Sequence, residues 1–114
     1  MSQNVVMKTH YRYISEIEAP TRAETDALSG ITILEFGTDW CGHCRAAQPA
    51  LVEVIERHPD WRHLKIEDGP GRALGRSYRV KLWPTFVLLR DGQEIARLVR
   101  PREASDFSAL MKVT

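Results

Sequence analysis

The sequence predicts an α/β domain: a central mixed β-sheet with helices on both faces. Three observations carry this. Strand-length apolar runs alternate with amphipathic stretches in the order β-α-β-α-β-α-β-β-α. Ile31 to Phe36 is β-branched and almost wholly apolar, as in a strand buried on both faces. The last two strands meet through Asp91-Gly92, a strong signal for an antiparallel hairpin. Repeats, linkers and low-complexity segments are absent, so residues 1–114 read as one domain with a core from about 10 to 112.

Tyr11 to Ile14 alternates weakly and is a candidate first strand. Thr21 and Glu24 have capping-box spacing, which opens a helix to about Leu28 that stops at Gly30. From Gly42 to about Arg57, Ala46, Ala47, Ala50, Leu51, Val54 and Ile55 recur at helical spacing. Pro49 inside that stretch lacks an N–H and predicts a kink. Trp61 to Glu67 reads as a strand. Pro70 opens a short predicted helix ending near Tyr78. Thr85–Leu89 and Glu94–Val99 form the hairpin, and an amphipathic helix from Glu103 to Lys112 buries Phe107, Leu110 and Met111.

Charge and hydropathy exclude several classes of function. A net charge of +1 gives no general attraction to nucleic acid or anionic membranes. No apolar run approaches the ~20 residues of a membrane span, and the opening residues lack the apolar core of a secretory signal. These features predict a cytoplasmic protein, and the chain is expected to be a monomer.

The chain has 2 cysteines, both in Cys41-Gly42-His43-Cys44. A structural bridge closing so short a loop removes little unfolded-state entropy, so the pair reads as chemistry. One pair supplies half of the four ligands zinc usually takes, and His43 is poorly directed toward a shared ion. Between a strand and a helix, Cys41 falls at the helix N-terminus, where free N–H groups and the helix dipole favour a thiolate. Cys44, one turn on, can attack a mixed disulfide formed at Cys41. His43, when protonated, stabilises the thiolate and therefore the reduced pair, which makes the disulfide a better oxidant.

Phe36-Gly37-Thr38-Asp39-Trp40-Cys41-Gly42-His43-Cys44 resembles the active-site segment of the thioredoxin superfamily, and its Gly-His dipeptide that of protein disulfide isomerase domains. Pro49 is similar to that family's helix kink, Trp83-Pro84-Thr85 to its cis-proline loop, and Asp91-Gly92 to the turn that follows. The resemblance implies the thioredoxin fold and disulfide exchange with protein substrates. It also implies a redox-recycling partner and no cofactor. Pro84 is then cis, and the Trp83 backbone is exposed to an extended substrate.

Glu35 stands where the isomerase domains carry a buried carboxylate, and Lys65 where the family lysine pairs with it. Such a carboxylate can take the proton of Cys44 through a water. Trp40 and Trp83 flank the site as apolar grips, with Gly42 beside them. Trp61 and Tyr78 read as packing residues. His10, His58 and His63, without partners at ligand spacing, read as surface residues.

Two positions depart from the family pattern. Gly37 stands where a bulky aromatic is usual, and Arg100 where a glycine lines the groove. Arg97, Arg100 and Arg102 form an expected basic rim. These departures support an alternative, a thioredoxin-fold adapter or chaperone that holds one client with little redox turnover.

Overall fold

The computed structural model describes residues 12–112, so Tyr11, which opens the predicted first strand, and His10 lie outside the described residues. Helix α1 (Arg22–Asp26) starts on the reciprocal capping box: the Thr21 hydroxyl accepts from Glu24 N, and Glu24 accepts from Thr21 N. It ends earlier than its spacing predicts, at an Ala27 cap. Gly30, at φ 74°, then leads into β1 (Ile31–Gly37).

Helix α2 (Gly42–Arg57) and strand β2 (Arg62–Glu67) follow. Helix α3 (Ala73–Ser77) starts later than Pro70, because Gly71 at φ 79° first turns the chain. Strands β3 (Thr85–Arg90) and β4 (Gln93–Val99) form the hairpin. Asp91 and Gly92 both have positive φ, 51° and 84°, which suits a tight turn between right-twisted strands. A Cβ on Gly92 would also collide with the Asp26 carbonyl. The predicted last helix divides into a 3₁₀ turn (Ala104–Phe107) and α4 (Ser108–Lys112). Reciprocal capping between Glu103 and Asp106 fixes the start of that 3₁₀ turn.

The sheet order is β2-β1-β3-β4, with β1 parallel to β2 and the other pairs antiparallel. Beyond β2, Ile14 makes a parallel bridge to Ile66: its N–H donates to Lys65 O, and it accepts from Glu67 N. The candidate first strand is thus a single bridge among the described residues, and it brings Tyr13 to the sheet.

Strand β1 separates two cores, which accounts for its apolar run. Ile33 packs toward α2 with Leu51, Val54, Trp61, Phe86 and Phe107. Leu34 and Phe36 pack on the opposite face with Leu64, Ile66 and Tyr78. Removing one of these large side chains costs about 2–5 kcal/mol. By strand alternation Glu35 shares the face of Ile33, so its carboxylate is held under α2.

Candidate active site

Cys41 ends the loop after β1 and is the N-cap of α2. Its extended backbone (φ −83°, ψ 119°) places Sγ 3.2 Å from the backbone N–H of Cys44, which donates to it. This sulfur therefore satisfies a free N–H at the helix start, where the dipole favours negative charge. Both cysteines are free thiols. Cys41 is 8% exposed and Cys44 only 1%. Burial pushes the Cys44 thiol up to about 12; hydrogen bonding to Cys41 adds to this, while bonds from the Thr38 backbone and the Tyr13 side chain oppose it. Cys44 is thus a poor nucleophile until its proton is removed. Gly42 and His43 are exposed at the helix start.

The buried carboxylate sits within a side-chain network. Glu35 is fully buried; its Oε2 accepts from the Tyr13 hydroxyl at 3.0 Å and from Gln48 Nε2 at 2.8 Å. Its Oε1 lies 2.8 Å from His63 Nε2. Lys65 is the in-register neighbour of Glu35 on β2, and Gln48 links the two by accepting from Lys65 Nζ at 3.1 Å. The Lys65 ammonium also lies over the Tyr13 ring, 4.6 Å from its centre.

The expectation of a surface His63 is corrected: it is 2% exposed and held against Glu35. The cause is strand alternation. His63 and Lys65 are two apart on β2 and share the face that meets Glu35. His58 is half-buried and stacks on Trp61 at 4.0 Å, while Trp61 and Tyr78 are core residues.

A second loop completes the site. The Trp83–Pro84 peptide bond is cis. The rings of Trp83 and Trp40 meet edge to face at 5.6 Å, which joins this loop to the cysteine loop. Trp40 is 70% exposed, whereas Trp83 is anchored by its indole N–H, which donates to Asp68 Oδ2 at 2.9 Å.

Arg100 donates through its backbone N–H to Pro84 O at 2.9 Å and through Nε to Trp83 O at 2.8 Å. The expectation that the Trp83 backbone lies open is therefore corrected, because Arg100 occupies its carbonyl. Arg100 has φ 53°, a left-handed conformation natural to glycine and costly for an arginine. The basic rim is also weaker than expected: Arg97 is paired with Glu94 through two hydrogen bonds.

Residues 16–113 match the Thioredoxin family. The chain belongs to that family. It is 35% identical over 69 residues to Thioredoxin H2-1 of Oryza sativa subsp. japonica, covering 60% of this chain and 50% of that protein. Against Thioredoxin H-type of Fagopyrum esculentum it is 30% identical over 73 residues, covering 64% of this chain and 63% of the relative. The chain thus spans between half and two thirds of these relatives. Among solved structures, thioredoxin 2 from Pseudomonas aeruginosa PAO1 in its reduced form is 60% identical with a TM-score of 0.79. The match covers 91% of this chain and 94% of that one.

Within this thioredoxin-family site, sequence reasoning found Cys41, Cys44, Glu35 and Lys65 but missed Tyr13, Gln48, His63 and Asp68. Signals for two of them were present. Gln48 is one helical turn beyond Cys44 and falls on the same face of α2. His63 follows from the parity of β2 once Lys65 is placed. Tyr13 and Asp68 depend on chain crossings that no local pattern reveals.

Proposed function

We propose that the chain is a thiol–disulfide oxidoreductase acting on protein disulfides through Cys41 and Cys44. The observation that carries this is the asymmetry of the pair. Cys41 caps α2 with its sulfur at the end of the cysteine loop, whereas Cys44 is buried beside a network containing a carboxylate. The Cys41 thiolate attacks a substrate disulfide, forming a mixed disulfide and releasing one substrate thiolate. Cys44, once deprotonated, attacks Cys41 Sγ, forming the Cys41–Cys44 disulfide and releasing the second substrate thiolate. The substrate gains two electrons and the protein loses them, so a recycling dithiol must restore the reduced pair.

Trp40 offers an exposed ring beside the cysteines for apolar residues of an unfolded or extended client, and Trp83 and Pro84 form the facing wall. Arg100 competes with substrate for the Trp83 carbonyl and adds a positive charge that favours clients acidic near their disulfide. His43, exposed between the cysteines, biases the pair toward its reduced form, as in an oxidant or isomerase. Both of the chain's 2 cysteines lie in the site, leaving none for a structural bridge, which suits a reducing, cytoplasmic setting.

Reduction of a disulfide-bonded test protein with dithiothreitol as electron source tests the reading. The parent chain should accelerate reduction, and Cys41→Ser should not. Equal rates for the two would transfer the argument to a client-holding adapter.

A further inference from the structure

Tyr13 stands between the two groups that must exchange a proton. Its hydroxyl donates to Glu35 Oε2 at 3.0 Å. Its oxygen and the Cys44 sulfur crowd one point in space. A Cβ on Gly37 would lie 2.8 Å from Tyr13 Oη and 2.5 Å from Cys44 Sγ. The absence of a side chain at Gly37 is therefore what lets the phenol approach the buried thiol. A cavity of about 200 Å³ lined by Tyr13, Thr38, Asp39, Cys44, Arg45, Gln48 and Lys65 opens this cluster outward.

We propose that the Tyr13 hydroxyl is the proton relay between Cys44 and Glu35, an inference that rests on disulfide exchange at Cys41 and Cys44. During resolution the Cys44 S–H proton passes to Tyr13 Oη as the Tyr13 proton passes to Glu35 Oε2. The sulfur then forms its bond to Cys41 Sγ, and the substrate thiolate leaves with the electron pair of the broken disulfide. Tyr13 ends with one proton, as it began, and Glu35 holds the one removed. In reduction of the Cys41–Cys44 disulfide the same path runs backwards and returns a proton to Cys44.

The surroundings fit a relay rather than a base. Burial, with Glu35 and Cys44 close by, holds the Tyr13 phenol far above its ordinary range, so it gives up a proton only while receiving another. Once its proton has passed to Glu35 and been replaced, the Tyr13 hydroxyl can donate to the Cys44 thiolate, an interaction that lowers the Cys44 thiol against its burial. Gln48 donates to the same Glu35 oxygen that receives the proton, and His63 holds the other, so the carboxylate cannot swing away. Lys65 faces the Tyr13 ring from β2, and Cys41 faces Cys44 from the start of α2.

Tyr13→Phe removes the hydroxyl and keeps the ring. Single-turnover stopped-flow fluorescence with a disulfide peptide separates the two steps. Formation of the mixed disulfide at Cys41 should be unchanged, and its resolution by Cys44 should slow at least about tenfold at pH 7, at the lower edge of what proton transfer contributes. The deficit should shrink as pH rises, because hydroxide then deprotonates Cys44 directly. In a cycle with Glu35→Gln, the double variant should be no slower than Glu35→Gln alone. If Tyr13→Phe fails to fold, resolution by the parent in mixed light and heavy water serves instead: a relay moving two protons together gives a curved dependence on deuterium fraction, and a linear one overturns it. Unchanged resolution, slowing that is uniform across pH, or multiplying effects in the cycle would each overturn the relay. A parent protein that forms no mixed disulfide fails one step earlier, and that result removes the exchange reading together with the relay.

Discussion

Gly37→Ala tests how tightly the site is assembled, because one methyl group enters the space shared by two reacting side chains. Gly37 is the last residue of β1 and its φ is not positive, so alanine suits the backbone. Replacing a strand glycine should by itself gain roughly 0.5–1 kcal/mol. Against this, the new Cβ lies 2.5 Å from Cys44 Sγ and 2.8 Å from Tyr13 Oη, closer than real Cβ contacts. Overpacking of this kind costs about 1–3 kcal/mol. Losing the Tyr13 hydrogen bond to Glu35 adds about 1 kcal/mol. The net loss should be about 1–3 kcal/mol, which in a domain of this size lowers Tm by roughly 5–20 °C. Urea denaturation and calorimetry read this directly. Gly42→Ala is the control, since nothing lies within 4 Å of its added Cβ and it opens a helix; it should be neutral or slightly stabilising. A Gly37→Ala protein as stable as the parent, with unchanged resolution by Cys44, would refute the close packing of Tyr13 against the thiol.

Arg100→Gly should change stability by less than about 1 kcal/mol, because relief of the left-handed φ offsets the lost bond to Trp83 O. It should nevertheless speed reduction of a large protein substrate and weaken any preference for acidic peptides, the latter most at low salt. Unchanged rates with both substrates would leave Arg100 without a role in selection. His43→Pro should lower the reduction potential by tens of millivolts, at roughly 30 mV per 1.4 kcal/mol, in equilibration with glutathione. A potential that rises or stays constant would exclude His43 from the bias. Above pH 9 the fold should lose stability through Cys44. Its thiol is raised from 9.0 to about 12, so the folded state keeps a proton that the unfolded state releases. That contribution is complete below pH 9 and is lost as pH rises toward the folded-state value, and Cys44→Ala should flatten this part of the urea-derived profile.

Much of this architecture was legible because local rules and packing agree. The Thr21 box, the apolar run of β1, the spacing of α2 and the Asp91-Gly92 turn each name their element, and the sheet satisfies them together. Failures occurred where a local feature was overruled. Gly71 delays α3 beyond Pro70, and reciprocal capping by Glu103 and Asp106 winds the last helix tightly at its start.

In the site, Cys41, Cys44, Glu35 and Lys65 belong to a pattern the sequence displays, whereas Gln48 lies on the helix without a motif and His63, Tyr13 and Asp68 are brought in by strand pairing and chain crossings. His63 looked like a surface residue because a lone histidine in a polar-looking stretch carries no sign of a carboxylate 28 positions away. Tyr13 required the Ile14 bridge to Ile66, a pairing between residues far apart in the sequence. Arg100 was placed correctly near Trp83, but its occupation of the carbonyl depends on a positive φ that sequence alone does not announce.

Trapping of the exchange intermediate shows which sulfur attacks and which resolves. Cys44→Ser is mixed with a disulfide-bonded peptide, quenched in acid, and its mass measured intact and after digestion. The expected product is one peptide half attached through a disulfide at Cys41, released by dithiothreitol, whereas Cys41→Ser accumulates none and the parent passes on to its internal disulfide. An unmodified Cys44→Ser protein, or equal labelling in Cys41→Ser, would contradict attack by Cys41 and resolution by Cys44.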